Sequence, residues 1–424
     1  MTEARAQTRR RLSPPALLRD DTVFRRYWSA HTISLFGDQI SMLAIPLVAV
    51  LTLDAGAAQM GYLTAAAWVP YLLFSLHAGA WVDRRGGRRR TMIAADIGRA
   101  AVLLSVPLAY AADLLTLPHL YVVTLVAGAL SVVFAVADTS LFVSIVPREQ
   151  YLGANSLLNG SRAFSFVAGP SVAGLLVQAL TAPVALVADA LSFLGSAAFL
   201  TRIEPQEVQT DPEGGSIFTG LRYIRGSAVV RSSLLATATI NFFNFVFFAL
   251  FVLYATRELG VSAGTLGLVL GAGAVGGLVG SVLTTPLARR IGVGPAFVVG
   301  CIAFPAPLLL VPLAAGSDVV VLALLFLAEF GSGLGVMILD ISAGSIFAAV
   351  IPHRLRSRVT GAYTFANYGV RVLGSLAGGA LGSWIGLRPT LWIATIGGLA
   401  GVLWLLPSPL PRLRELPEPD EPGS

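Results

Sequence analysis

Nine ionisable side chains stand inside stretches that are otherwise apolar: Asp38, Asp96, Arg99, Asp138, Arg162, Asp189, Glu329, Asp340 and Arg371. In a bilayer each costs at least ~2.5–3.5 kcal/mol at mid-helix, so each is expected to face a cavity or a partner. The chemistry such carboxylates offer is proton exchange, because a carboxyl group withdrawn from water titrates nearer neutral pH than an exposed one. Asp38 lies about eleven residues into the first apolar run, and Glu329 lies at a comparable depth in the tenth, entered from the other side. Asp38 is the first candidate to carry a proton; Glu329 is the second, or a contact for a bound molecule. The competing reading of either is a carboxylate permanently neutralised by an arginine. Arg162 and Arg371, on the fifth and eleventh runs, are expected to pair with carboxylates, their long stems also letting the charge snorkel. Binding of an anionic molecule is the alternative. Asp96 and Arg99 are three apart and share a helix face, and Asp189 reads as structural. Asn241 and Asn244, polar without charge, are expected to line a cavity. The neighbouring Phe242, Phe243, Phe245, Phe247 and Phe248 read as packing or lipid-facing, with a cargo pocket as the alternative. His31 and His77 sit near run ends and are expected at the membrane interface.

The elements that must position these groups are set by the solvent. Of 424 residues 55% are hydrophobic and only 12% charged, where a soluble protein carries roughly 25% charged. The apolar runs have bilayer length, and a chain crossing lipid must satisfy its own backbone polar groups, so they should be helices. Twelve are expected: Tyr27–Leu51, Met60–Val82, Thr91–Ala112, Leu120–Ser144, Leu152–Leu176, Ala182–Thr201, Val230–Tyr254, Thr265–Leu287, Pro295–Ala315, Val319–Val350, Val359–Trp384 and Thr390–Leu406. The tenth contains Gly331, Gly333 and Gly335 and is expected to bend or tilt there, or to begin late.

The net charge of +6 comes entirely from arginine. The arginines gather in the tail before the first run and in alternate short loops, such as Arg84, Arg85, Arg88, Arg89 and Arg90. That is the positive-inside pattern, which puts both termini on the cytoplasmic side and argues against nucleic-acid binding. The organisation expected is a cytoplasmic tail over 1–26, a six-helix bundle over 27–202, a cytoplasmic linker over 203–229, a second bundle over 230–409 and a disordered tail over 410–424. Within the linker, Ser216–Arg231 reads as an amphipathic helix on the inner face, with an unstructured linker as the alternative. The lone Cys301 lies in an apolar run and excludes a disulfide framework.

The two halves superimpose at one constant offset of 205 residues. Arg84-Arg85 fall on Arg289-Arg290, Gly87 on Gly292, Phe142 on Phe347, Pro147 on Pro352, and Gly169 and Gly174 on Gly374 and Gly379. Two bundles of one topology, related by an axis along the membrane normal, would enclose a cavity near mid-bilayer that opens alternately to each side.

The segment GAWVDRRGGRRR at Gly79–Arg90 resembles the loop signature of the major facilitator superfamily, although Gly87 follows Gly86 and the basic residues resume one place late. The resemblance implies a conformational latch of Gly79, Asp83, Arg84 and Arg88 with Asp138. The second copy has Ala288 where Asp83 stands, so only the first latch is complete. GSRAFSFVAGPSVAG at Gly160–Gly174 resembles the superfamily's antiporter motif, with Gly169-Pro170 bending the helix and Gly174 allowing close packing. The longer stretch Ala135–Ile203, with SLFGDQIS in the first run and AADIGRA in the third, is similar to the bacterial drug and siderophore exporters, relatives of macrolide efflux and enterobactin export proteins.

The resemblance implies an all-α membrane protein of twelve transmembrane helices in two pseudo-symmetric six-helix bundles, the major facilitator fold. It implies proton-coupled efflux of a small amphipathic molecule, such as a drug, macrolide or siderophore, by a monomer. Uptake of a nutrient or lipid is the alternative, and a non-transporting sensor or intramembrane enzyme a remote one. The sequence has no phosphate-binding Gly-Lys-Ser/Thr loop, no HExxH and no Cys/His metal spacing, so no cofactor, no metal and no enzymatic chemistry are expected.

Overall fold

The computed structural model describes residues 14–74, 87–204 and 217–415. Twelve long helical segments are described: α1 Thr22–Thr52, α2 Ala57–Phe74, α3 Arg88–Ala111, α4 Leu117–Ile145, α5 Tyr151–Leu180, α6 Ala182–Leu200, α7 Ala228–Arg257, α8 Ala263–Ile291, α9 Val293–Leu313, α10 Asp318–Val350, α11 Arg356–Ile385 and α12 Leu387–Leu399, continued by a 3-10 turn over Ala400–Trp404. Among the described residues nine helices are long and apolar enough to cross a bilayer; α2, α11 and α12 complete the two sets of six. Side-chain oxygens start several of them: Asp21 accepts from Phe24 N at 2.9 Å, and Ser262 from Thr265 N at 3.3 Å, supplying partners to amides that a first turn leaves open.

Each set packs in the same order. In the first, α1 lies against α5 and α6, α2 against α4, and α3 against α4 and α6; in the second, α7 lies against α11 and α12, and α10 against α8 and α9. The repeat extends to the backbone. Gly87 and Gly292 both precede a helix with positive φ, +63° and +100°, a region glycine enters without steric penalty. Pro147 and Pro352 each lead through a 3-10 turn into α5 and α11. Thr181 and Gly386, also 205 apart, join the last two helices of each set at φ +100° and +92°. Thr181 (ψ 154°) lies in a region nearly reserved for glycine. Thr181→Gly is therefore expected to raise thermal stability by about 1 kcal/mol, read as a higher Tm in detergent.

The sets meet along two seams, α5 with α8 and α2 with α11. Repeat-equivalent glycines build both. A Cβ on Gly174 would stand 2.9 Å from Gly267 Cα and 2.4 Å from Ala263 O; one on Gly379 would stand 2.9 Å from Gly61 Cα. At this end one buried apolar cluster runs through both sets, from Leu47 and Val177 to Leu250 and Leu266. At the other end, which carries the arginine-rich loops, each set has clusters of its own, around Tyr27 and Leu141 in one and around Phe297 and Ile346 in the other. The halves are thus fused at one end and separately cored at the other.

Three expectations need correction. The long α10 is one continuous helix. It begins at Asp318, not late, and its glycines allow close packing: a Cβ on Gly333 would meet Gly273 O and one on Gly335 the Ala303 carbonyl. The break falls in α9, between Ala303 and Pro307, where Pro305 and Pro307 remove backbone donors. The amphipathic helix, described from Ile217, ends at Gly226 and not at Arg231, because Ser227 caps α7. It docks on the second set through Tyr223 Oη, which donates to Val350 O at 2.7 Å, and through Gly220 at the Arg358 carbonyl. Residues 410–415, expected in a disordered tail, pack: Leu410 is buried and Gly294 N donates to Leu413 O at 2.9 Å.

Candidate functional site

Between the sets lies a central cavity of ≈ 680 Å³. It adjoins a chamber of ≈ 320 Å³ inside the first set, sharing Met42 and Phe248 with it. It also adjoins one of ≈ 270 Å³ inside the second, sharing Asn244, Phe304 and Val336. Seven of the nine charged groups singled out from sequence line these three spaces, Arg162 and Glu329 the central one, Asp38, Arg99 and Asp189 the first chamber, Asp340 and Arg371 the second; Asp96 and Asp138 lie behind their walls.

Arg99 is the hub of the first chamber. Its guanidinium is clamped between two rings, 4.5 Å from the Phe134 centroid and 4.0 Å from that of Phe193. One side is hydrogen-bonded to Asp96, which is fully buried; the other stands 3.8 Å from Asp38. The two carboxylates differ in access. Asp96 has no exposed side-chain surface, while 43% of the Asp38 side chain faces the chamber. Asp96 is thus the fixed counter-ion and Asp38 the reachable one. Asp189, in the same chamber, accepts from Ser41 Oγ and from Ser192 Oγ at 3.0 Å. Removing one partner of a buried pair costs about 3–5 kcal/mol. Arg99→Ala is therefore expected to lower the Tm sharply, and Asp96→Ala beside it to restore much of the loss; thermal unfolding in detergent checks both.

Asp138 accepts from Tyr27 Oη at 2.7 Å and lies 3.6 Å from His31 Nδ1. His31 is half-buried beside this carboxylate, at 11% exposure. Of the latch residues, Gly79, Asp83 and Arg84 lie outside the described residues, as does His77, while Arg88 opens α3. The described partners of Asp138 are thus on α1.

The second-set groups are arranged differently. Arg371 stacks 4.4 Å from the Trp68 ring, 5.2 Å from Phe245 and 5.3 Å from Tyr368, so α2 of the first set supplies one face of its box. The pairing expected for Arg371 is with rings, not with a carboxylate within ion-pair distance; Asp340 lines the same chamber. Asn241 donates to Asn367 Oδ1 at 3.0 Å, tying α7 to α11, and lines the second chamber; Asn244 lines both that chamber and the central cavity. Phe247, Phe248 and Phe251 also line that cavity, so part of the ring cluster read as packing is cavity wall. Glu329 and Arg162 both line it. A Cβ on Gly273 would stand 3.2 Å from Glu329 Oε2; the glycine leaves that carboxylate its place. Gly169 receives Gln39 of α1 within the first set, while Pro170 O approaches Gly267 and Gly174 approaches Ala263 O, so Pro170 and Gly174 form the α5 side of the α5–α8 seam. Sequence reasoning missed Trp68 and Tyr368, which box Arg371, and Tyr71, which lines the first chamber 5.6 Å from the Tyr368 ring.

Two matched helical sets around a central cavity, with charged groups inside it, define a carrier of small molecules and not an enzyme. The sequence model of the Major Facilitator Superfamily matches residues 27–370 and again 234–423, and the chain belongs to that superfamily of multi-pass membrane transporters. It is 29% identical over 420 residues to the multidrug efflux pump Tap of Mycobacterium tuberculosis (strain ATCC 25618 / H37Rv), covering 91% of this chain and 93% of that one. The same figures hold for Tap of Mycobacterium bovis (strain BCG / Pasteur 1173P2). Among solved structures, nucleoside transporter NupG superimposes with TM-score 0.71 at 13% identity, covering 91% of this chain and 99% of that one. A bacterial homologue of the iron transporter ferroportin, in an inward-facing state, gives 0.73 at 16%, covering 92% and 98%. Those likenesses establish the fold.

Proposed function

We propose that this chain is a proton-coupled exporter of a small amphipathic molecule, working as a monomer in a bacterial inner membrane with both termini in the cytoplasm. The observation that carries the reading is Asp38: a carboxylate reachable from a chamber that adjoins the central cavity, held loosely by an arginine whose other side is committed to a buried partner. Arginine-rich loops at one end support the orientation. With that end in the cytoplasm, the fused opposite end corresponds to a carrier open inward. The 29% identical relatives named as multidrug efflux pumps support export over uptake. In the cycle we envisage, a proton arriving from outside binds Asp38, cargo and proton occupy the cavity in turn, and rocking about the seams exchanges the open end. The latch residues Asp83, Arg84 and Arg88 would steady one of the two states.

Reconstituted vesicles test this. An imposed inward proton gradient is expected to drive an amphipathic drug out of the vesicle lumen against its own gradient while protons move in. Drug movement indifferent to the gradient, with no proton release on binding, would remove the coupling claim.

A further inference from the structure

We infer that the central cavity is built for a zwitterionic aromatic amphiphile, its cationic group seated at Glu329 and its anionic group at Arg162. This names the cargo class of the export reading above and rests on it. The cavity's size suits a drug-sized molecule, and its wall is largely apolar, with Phe166 on α5 and Phe247, Phe248 and Phe251 on α7. Into this wall come charges of opposite sign from opposite halves: Arg162 on α5 and Glu329 on α10. Neither makes an ion pair or a hydrogen bond among the described residues. The other membrane-embedded cations of the site are spoken for, Arg99 by Asp96 and two rings, Arg371 by three rings.

Both face the cavity, Arg162 exposed and Glu329 half-buried, and a molecule that fills the cavity strips water from them, which is unfavourable unless it also pairs with them. Pairing with each other is not what this structure uses. A neutral molecule would bury both unpaired. A cation would satisfy Glu329 and strand Arg162; an anion would do the reverse. A molecule carrying both charges on a flat ring system satisfies both and lies on the phenylalanine rings, which also attract its cationic end. It would additionally contact both halves at once, so its arrival and departure bear on the rocking motion.

Equilibrium binding to the full chain in nanodiscs tests this with a fluoroquinolone such as ciprofloxacin in four forms: the zwitterion, its carboxylate ester (a cation), its N-acyl derivative (an anion) and the doubly capped neutral molecule. The zwitterion is expected to bind at least tenfold more tightly than any other form. Glu329→Gln should erase its lead over the anion and keep its lead over the cation. Arg162→Gln should erase its lead over the cation and keep its lead over the anion. That crossed pattern is one a merely structural role for either residue would not give. Equal binding of all four forms, no binding of any, tightest binding of the cation, or a uniform loss in both variants would overturn the assignment. Binding in nanodiscs needs no proton gradient. Failure of driven transport with the crossed pattern intact therefore counts against export alone, and driven transport without the pattern counts against the zwitterion alone.

Discussion

Asp38→Asn is expected to abolish proton-driven transport, by at least a hundredfold, while cargo binding stays within about threefold of the natural protein. Asn keeps the shape and polarity of the side chain and cannot take up or release a proton in this range. Its neighbours need little rearrangement, since Arg99 keeps Asp96 and both aromatic faces. Coupled flux and equilibrium binding, measured on the same preparation, separate the two effects. Undiminished driven transport in Asp38→Asn would take the aspartate out of the mechanism. Asp96→Asn is the internal contrast: it removes a fully buried counter-ion, so its loss should appear first in thermal stability.

Gly174→Val is expected to be nearly as damaging, for a reason far from any charge. The added atoms would enter space held by backbone, Ala263 O at 2.4 Å and Gly267 Cα at 2.9 Å from the new Cβ. Backbone inside two packed helices cannot step aside, so the α5–α8 seam cannot close and the carrier is held in its other state. Gly174→Ala should give a weaker version of the same defect. Cys301 is the single native cysteine and is buried, which leaves introduced cysteines readable. Gln178 and Ser262 face each other across the seam, 3.4 Å between side-chain oxygens. Cysteines at these two positions should crosslink readily in the natural background and at least tenfold less with Gly174→Val. A retained crosslink together with normal transport would show that the seam does not govern the cycle. Monodisperse elution of the variant distinguishes a trapped carrier from an unfolded one.

The twelve helices were legible because lipid leaves the backbone one economical solution, and apolar length therefore reports them directly. The repeat was legible because backbone geometry forces residue type: Gly87 and Gly292 need positive φ, and Pro147 and Pro352 end one helix before the next. The break in α9 was hidden, since Pro305 and Pro307 sit in a run whose hydropathy never falters, while prolines at 46, 70, 107, 170 and 286 are carried inside helices. The presence of buried charge was legible; its pairing was not. Arg371 meets Trp68 across more than half the chain, and nothing in either local sequence marks the other. Nothing local to His31 marked its partner either, since α4 brings Asp138 to its side from more than a hundred residues away. The rings of α7 occur almost continuously from Phe242 to Phe251, so no periodicity separated those lining the cavity from those behind it.

The central claim is that two rigid six-helix halves exchange which end is open. Distances between paired spin labels at both ends test it most directly. One pair replaces Gln178 and Ser262 at the fused end; the other replaces Asn155 on α5 and Thr285 on α8, both exposed, toward the arginine-rich end. In nanodiscs, acidification or saturating cargo is expected to shift the two distance distributions in opposite senses, the first lengthening as the second shortens. Two distributions that stay fixed under both treatments, or lengthen together, would contradict the account.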